Sequence, residues 1–307
     1  MKVAFLFSGQ GAQYSGMMAD IAISINESKN VFEIADNSLG RSISDLCFNG
    51  AQEELNLTHN TQPCVLAADL AAYAAISSYG IKPDVVAGFS LGEYAALVAS
   101  GVLDCQTVFP LVQKRADYMQ EAVPVGYGAM AAVMRLTESE VDSLCKEVDG
   151  YVVPANFNCP GQIVVSGTNE AIENLMSLAK ERKIRAMKLP VSAPFHCELM
   201  GPAVEKLSSV LSEITFCSPT NPIYMNVDAK PEMRKEEIRR KLLLQAKSPV
   251  RWEDIINGMY ADGVDTFIEL GPGKTLSGFV KKTLAGDYSV FNVENIDTLR
   301  KTLEEIG

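Results

Sequence analysis

The run Gly88-Phe89-Ser90-Leu91-Gly92 constrains the fold of this chain more than any other. It closes an apolar stretch, Asp84 to Phe89, that reads as a buried strand, and it opens a helical pattern from Leu91 to Ser100. A serine flanked by glycines at such a junction sits where the chain must bend tightly. Its hydroxyl then projects at a helix N-terminus, where backbone N–H groups and the helix dipole favour negative charge. The plainer reading of the same residues is an ordinary strand-to-helix turn. Around this junction, Val3 to Phe7 is a further strand candidate and Pro63 to Ser78 a buried, alanine-rich helix. The alternation of strand and helix predicts an α/β fold with a parallel sheet covered by helices.

The middle of the chain changes character. Gly128 to Leu136 reads as a strand, and Thr137 with Glu140 forms a capping box for a helix whose apolar face is Val141, Leu144, Cys145 and Val148. Tyr151 to Asn156 and Gln162 to Ser166 are strands on either side of a Cys159-Pro160-Gly161 turn. A helix follows over about 169–182, then a strand from Ile184 to Leu189. This βαββαβ order is that of a small ferredoxin-like unit. It is placed at residues 126–192, inserted into a larger domain made of 1–125 and 193–307. The α/β pattern then resumes with strands at Ile223 to Val227 and Thr266 to Leu270. A Gly271-Pro272-Gly273 turn leads into a helix carrying Lys281 and Lys282, and Ile296, Leu299, Leu303 and Ile306 line one face of a last helix.

Composition excludes several classes of function. The chain has 307 residues, 47% of them hydrophobic, which suffices for a large buried core. Its 27 Lys and Arg against 38 Asp and Glu give a net charge of −11, unfavourable for nucleic acid or an anionic membrane. The seven cysteines (47, 64, 105, 145, 159, 197 and 217) form no C-x-x-C pair, and there are only two histidines, so a zinc site is not expected and the cysteines read as buried free thiols of a reducing compartment. The opening apolar run is too short for a signal peptide, and no stretch reaches membrane-spanning length. The cytoplasm is the expected location.

A reactive serine needs a base, and the choice lies between His59 and His196. His59 falls in the polar stretch Leu57 to Thr61, which reads as a surface loop. His196 ends Ser192-Ala193-Pro194-Phe195-His196, at a strand-to-loop exit where catalytic groups often sit; a structural histidine is the alternative. Ser8-Gly9-Gln10-Gly11 follows the first strand, where its amides could supply an oxyanion-hole donor. Arg115 lies on the stripe Val108, Leu111, Val112, Arg115 and Met119, which places a guanidinium on a buried face, either in a structural ion pair or holding an anion. Gly271 to Thr275 suggests a phosphate-binding loop, but Ile268 stands where the first glycine belongs. Cys197 has no turn of the Ser90 kind around it and reads as a buried thiol.

Taken together, the residues closely resemble the malonyl-CoA:acyl carrier protein transacylase family and the related acyltransferase domains of polyketide synthases, over nearly the whole chain. The resemblance is carried by Gly9-Gln10-Gly11-Ala12-Gln13, Thr61-Gln62-Pro63, Ser90-Leu91-Gly92-Glu93-Tyr94, Met119 to Ala122, Gly128 to Ala132, Asn156-Phe157-Asn158, Pro160-Gly161-Gln162, Gln245 before Pro249-Val250, and Gly271 to Lys274. It implies a hydrolase-like α/β domain with the ferredoxin-like insert and the site between them. It implies Ser90 as nucleophile, His196 as base, Arg115 as ligand of the malonyl carboxylate, and the amides of Gln10 and Leu91 as oxyanion hole. Gln245 would lie by the histidine, whose ring nitrogen would be oriented by a neutral acceptor there rather than by a triad aspartate. The substrates would be malonyl-CoA and holo acyl carrier protein, with no cofactor and a monomeric enzyme, in fatty acid or polyketide synthesis. The family usually has histidine before the serine, where this chain has Phe89. Phe195 before His196 resembles the malonyl-selective pattern of polyketide acyltransferases, and Leu91 agrees with it.

An acidic carrier would need a local basic patch on this acidic chain. Arg182, Lys183 and Arg185 at one edge of the insert, with Lys281 and Lys282, are candidates; a solvated charged surface is the alternative. The rival functions are a thioesterase or lipase with the same serine turn, and a non-catalytic subunit that binds the carrier.

Overall fold

The first strand, β1 (Val3–Phe7), is buried at every position. Val3, Phe5 and Phe7 enter one core and Ala4 and Leu6 another, so the strand is covered on both faces. In the computed structural model, which describes residues 1–191 and 193–306, β1 pairs in parallel with β2 (Val85–Gly88) and with β9 (Thr266–Leu270). Outside these lie β10 (Ser289–Val293), parallel to β9, and β7 (Ile223–Tyr224), parallel to β2, with β8 (Pro231–Glu232) antiparallel at the edge. The order of this six-stranded sheet is β10-β9-β1-β2-β7-β8.

Before β2 come α1 (Ala19–Ser24), α2 (Asn26–Leu39), α3 (Ile43–Asn49), α4 (Gln52–Leu55) and α5 (Thr58–Ser78). After it come α6 (Gly92–Ala99) and α7 (Cys105–Glu121), and α2, α5, α6 and α7 bury the Phe5 and Phe7 face. Beyond the middle of the chain are α10 (Gly201–Glu213), α11 (Lys235–Gln245), α12 (Trp252–Ala261), α13 (Thr275–Thr283) and α14 (Ile296–Ile306). Of these, α12 and α13 cover the Ala4 and Leu6 face.

A second sheet is antiparallel, with strands β3 (Gly128–Met134), β4 (Val152–Cys159), β5 (Gln162–Thr168) and β6 (Ala186–Lys188) in the order β4-β5-β3-β6. Its helices are α8 (Glu138–Glu147), whose Thr137–Glu140 capping box forms as expected, and α9 (Asn169–Glu181). Both pack on the face carrying Ala129, Ala131, Val133, Ile163 and Val165. The opposite face, with Met130, Ala132 and Val164, turns toward the parallel sheet. The second sheet is tied to the segment before α12, where Val250 N–H donates to the Ala155 carbonyl (2.9 Å) and Phe157 N–H to the Val250 carbonyl (2.9 Å). Ser192, the expected last residue of the insert, lies outside the described residues.

Four expectations need correcting, the first being that the free cysteines are not all buried: Cys217 is exposed and Cys105 only partly buried. The alanine-rich helix begins at Thr58, not Pro63, because Arg41 holds the Asn60 side chain and the His59 carbonyl while the Thr61 hydroxyl bonds the Leu55 and Leu57 carbonyls. His59 is therefore helical rather than in a loop, though exposed. The strand expected over Ile223 to Val227 stops at Tyr224, where the chain turns back to form β8.

Candidate active site

Register levels the ends of the central strands: Phe7 lies opposite both Gly88 and Leu270. The loops leaving β1, β2 and β9 therefore open on one edge, the carboxyl side where α/β sheets hold their ligands. The glycines of the β2–α6 turn are required by close approach. A Cβ on Gly88 would lie 1.8 Å from the Gly92 carbonyl carbon, and one on Gly92 would lie 2.3 Å from the Phe7 carbonyl oxygen. Between them Ser90 has φ 53°, a left-handed conformation that disfavours a side chain and persists only where the surroundings enforce it.

The structure brings Ser90 and His196 together, with Oγ and Nε2 2.7 Å apart. His196, also left-handed at φ 61°, is buried, and its backbone N–H donates to the Ala246 carbonyl (3.0 Å). Nδ1 lies 3.0 Å from the Gln245 backbone carbonyl, an oxygen that can only accept, so Nδ1 carries the proton and Nε2 is left to accept from the serine. Burial, followed by the nearby Arg115 charge, pushes the His196 pKa down to about 4, against the opposing pull of the Gln245 and Ser248 backbones. The imidazole is thus neutral at neutral pH, with Nε2 unprotonated.

Arg115 comes from α7 and is 1% exposed. Its Nη1 donates to Gln62 Oε1 (2.7 Å), and its Nη2 to Gln245 Oε1 (2.9 Å) and Ser90 Oγ (3.2 Å). The guanidinium lies 5.2 Å from the Tyr94 ring centroid, and Nε has no partner among the described residues. All of these hydrogen-bond acceptors are neutral, so the cation sits beside the Ser90 hydroxyl in no ion pair with a described carboxylate. The Gln245 amide also donates to the Ser90 carbonyl (2.7 Å). Gln10, on the turn after β1, lines the same cavity as Ser90, and Leu91 follows Ser90 at the start of α6.

These groups open on a cavity of about 410 Å³ between the sheets, lined by Gln10, Ser90, Arg115 and His196 on one side and by Met130, Ala132, Met134, Val164, Met187 and Leu189 on the other. Phe195 and Phe89 also line it. Phe89 packs edge-on against Trp252, with centroids 5.4 Å apart, and beside Phe279 at 6.2 Å, which makes the wall next to the serine aromatic. Cys197 is buried, its thiol donates to the Pro194 carbonyl (3.1 Å), and burial raises its pKa, which disfavours the nucleophilic thiolate. Among the described residues no group of three or more His, Cys, Asp or Glu could hold a metal.

The basic candidates separate. Arg182 is held by Glu147 and drops out of the patch. Lys183, Arg185, Lys281 and Lys282 are exposed and outside every ion pair among the described residues. Arg185 lines the cavity, and α13, which bears the two lysines, lines it through Thr275, Leu276 and Phe279.

Two polar residues that bear on the site were missed. Asn226 is fully buried against the Ser90 turn, and Glu93 is buried behind it, its pKa raised by desolvation to about 7. Glu93 falls inside a motif recognised in the sequence; Asn226 has no local signal, since only the folded chain brings it to residue 90.

Fold and site together are those of an acyl transferase domain, and the family model for that domain matches residues 4–304. The chain belongs, within that class, to the malonyl-CoA:acyl carrier protein transacylase family. It is 44% identical to the malonyl CoA-acyl carrier protein transacylase of Bacillus subtilis (strain 168), over 99% of this chain and 98% of that one. The crystal structure of the malonyl CoA-acyl carrier protein transacylase from Clostridium perfringens superposes with a TM-score of 0.95 at 43% identity, covering 100% of this chain and 97% of that one. A malonyl-transacylase solved in complex with its type II polyketide acyl-carrier protein superposes with a TM-score of 0.96 at 40% identity, covering 99% of this chain and 100% of its own.

Proposed function

We propose that this protein is a malonyl-CoA:acyl carrier protein S-malonyltransferase working by a ping-pong mechanism through a malonyl ester on Ser90. The observation that carries the reading is one oxygen with two neighbours: Ser90 Oγ lies 2.7 Å from the His196 ring and 3.2 Å from an Arg115 guanidinium that has no anionic hydrogen-bond partner among the described residues. His196 Nε2 takes the hydroxyl proton as Oγ attacks the thioester carbonyl. The oxyanion develops toward the Gln10 and Leu91 amides. The intermediate collapses with loss of coenzyme A, whose sulfur takes the proton from His196. The phosphopantetheine thiol of the carrier then repeats the sequence in reverse, giving up its proton to His196 and freeing the serine.

Arg115 holds the malonyl carboxylate, exchanging glutamine oxygens for a bidentate ionic contact. Gln245 orients the base through its carbonyl, and Phe195 limits room for a branched extender. Thioester exchange between sulfur and oxygen needs no electron transfer, so no cofactor is assigned. We further infer a hydrolase-like catalytic domain formed by 1–125 and 193–307, with a ferredoxin-like domain at 126–192. The carboxyl-edge location of Ser90 and the β4-β5-β3-β6 strand order support that division. The acidic carrier docks on Arg185, Lys183, Lys281 and Lys282 at the mouth. The enzyme acts as a cytoplasmic monomer supplying fatty acid or polyketide elongation.

The test is intact-mass analysis after exposure to malonyl-CoA, with peptide mapping, followed by addition of holo acyl carrier protein. One malonyl group on Ser90 that moves to the carrier is the expected result. An unmodified chain, or a label on Cys197, overturns the reading.

A further inference from the structure

Ser90 lies at the tip of a turn whose backbone must be held in place, because an L-residue in the left-handed region is strained by roughly 1–3 kcal/mol. The side chain of Asn226 spans that turn. Its Oδ1 accepts from the Ser90 N–H (2.7 Å) and its Nδ2 donates to the Gly88 carbonyl (2.7 Å). Asn226 is in turn fixed along its own backbone: its N–H donates to Glu93 Oε2 (2.8 Å) and its carbonyl accepts from the Arg251 N–H (3.1 Å). The loop that carries it is closed by two further backbone bonds, Ala229 N–H to the Met225 carbonyl (2.9 Å) and Met225 N–H to the Lys230 carbonyl (3.1 Å). Lys241 pins the same hairpin by pairing with Asp228 (2.9 Å) and Glu232 (3.2 Å).

We propose that Asn226 is a positioning residue for the nucleophile, a planar amide that bridges Gly88 and Ser90 and holds the strained turn so that Ser90 Oγ stays aligned with His196. The proposal rests on the reading of Ser90 as the acylated residue. A carboxamide suits the task because one flat group offers both the donor that the Gly88 carbonyl needs and the acceptor that the Ser90 N–H needs. Asp at 226 would keep the shape and the acceptor but present an oxygen to the Gly88 carbonyl. Ala would leave two buried backbone groups unpaired. Asn226 does not reach Arg115 or the cavity, so substrate affinity should be nearly untouched while the chemical step slows.

The experiment uses the full chain, as wild type, Asn226→Asp and Asn226→Ala. Rapid-quench intact mass gives both the number of acylated chains and the rate constant of acylation by malonyl-CoA. A fluorophosphonate probe, which requires an activated serine but no malonyl group, is run in parallel. The expected result for Asn226→Asp is close to one adduct per chain, formed about 100-fold more slowly with both reagents, at a nearly unchanged KM for malonyl-CoA. An acylation rate within about twofold of wild type overturns the proposal. So does a loss seen only as fewer competent chains, in step with the unfolded fraction by circular dichroism. Hydrogen exchange on the wild type adds a measurement that needs no variant: the Ser90 amide should be strongly protected, and exchange as fast as in an exposed loop refutes the clamp. Failure of wild-type Ser90 to react with malonyl-CoA would instead refute the transferase reading, and the probe and exchange data would still decide on Asn226.

Discussion

The two walls of the cleft are built from opposite kinds of residue. The floor is a mostly parallel sheet whose central strands β1 and β2 are apolar throughout, with polar groups beginning only where those two strands end, at Gln10 after β1 and Ser90 after β2. The roof is an antiparallel sheet that faces the cavity in mid-strand, with Met130, Ala132 and Met134 alternating against Ala129, Ala131 and Val133, which face the helices. The buried strands β1 and β2 carry no polar side chain along their length and bring reactive groups in only at their ends, whereas an antiparallel sheet can leave one whole face bare. Floor substitutions should therefore act on rate, and roof substitutions on binding and the exclusion of water.

The largest effect should come from the Ser90–His196 pair. Ser90→Ala should abolish the malonyl adduct, and His196→Ala should slow its formation by on the order of 10²–10⁴-fold, as read by quench-flow mass spectrometry. Arg115→Ala comes next. Removing one partner of a buried charged pair costs about 2–5 kcal/mol, so malonyl loading should fall roughly 30- to several-thousand-fold. Loading of acetyl, which has no carboxylate, should barely change, and Arg115→Lys should rescue only in part. Equal loss for both substrates in a folded variant would make Arg115 structural and leave the floor without its selectivity.

The pH dependence sharpens the contrast further. With the His196 pKa near 4, acylation at saturating malonyl-CoA should stay level from pH 8 down to about 5 and then fall. The sign for stability follows: an unfolded histidine takes a proton near pH 6.5 that the folded one refuses. The His196 contribution is thus lost as pH falls from about 6.5 to 4. Glu93 and Glu269, raised by burial to about 7 from 4.5, act oppositely and weaken the fold as pH rises through that interval. Urea titrations of His196→Ala and Glu93→Gln across pH 4–8 check both slopes. The smallest effect belongs to the roof. Met134→Ala should raise the KM for malonyl-CoA roughly fivefold, about 1 kcal/mol of apolar contact, and leave kcat alone. A kcat loss as large as that of Arg115→Ala would end the division between walls.

Legibility in the sequence followed the range of the forces involved. The Val3–Phe7 strand, the Thr137 capping box and the Arg115 stripe each depend on neighbours within a turn or two, and each appears in the structure where the pattern placed it. The strand Ser289–Val293 went unassigned because it is a half-exposed edge with no continuous apolar run. Asn226 was invisible for a stronger reason: its partners, Gly88, Ser90 and Glu93, are more than 130 positions away along the chain. The candidate pair Ser90 and His196 could be named because a reactive serine needs a base and only two histidines exist to choose from.

The pairing of β1 with β9 has a consequence for the order in which a ribosome can assemble this molecule. Residues 3–7 must wait for residues 266–270 before the centre of the floor is complete, and the Ser90 turn must wait for Asn226. The roof draws all its strands from one unbroken stretch, 128–188, and needs no such delay. Contacts between distant segments form slowly, and domains tend to fold as their residues emerge. The roof is therefore built during synthesis as a finished piece, while the first strand, able to pair with β2, waits with its β9-facing edge open. A stall in translation between residues 190 and 260 leaves exposed a fully apolar strand edge that a holding chaperone would recognise.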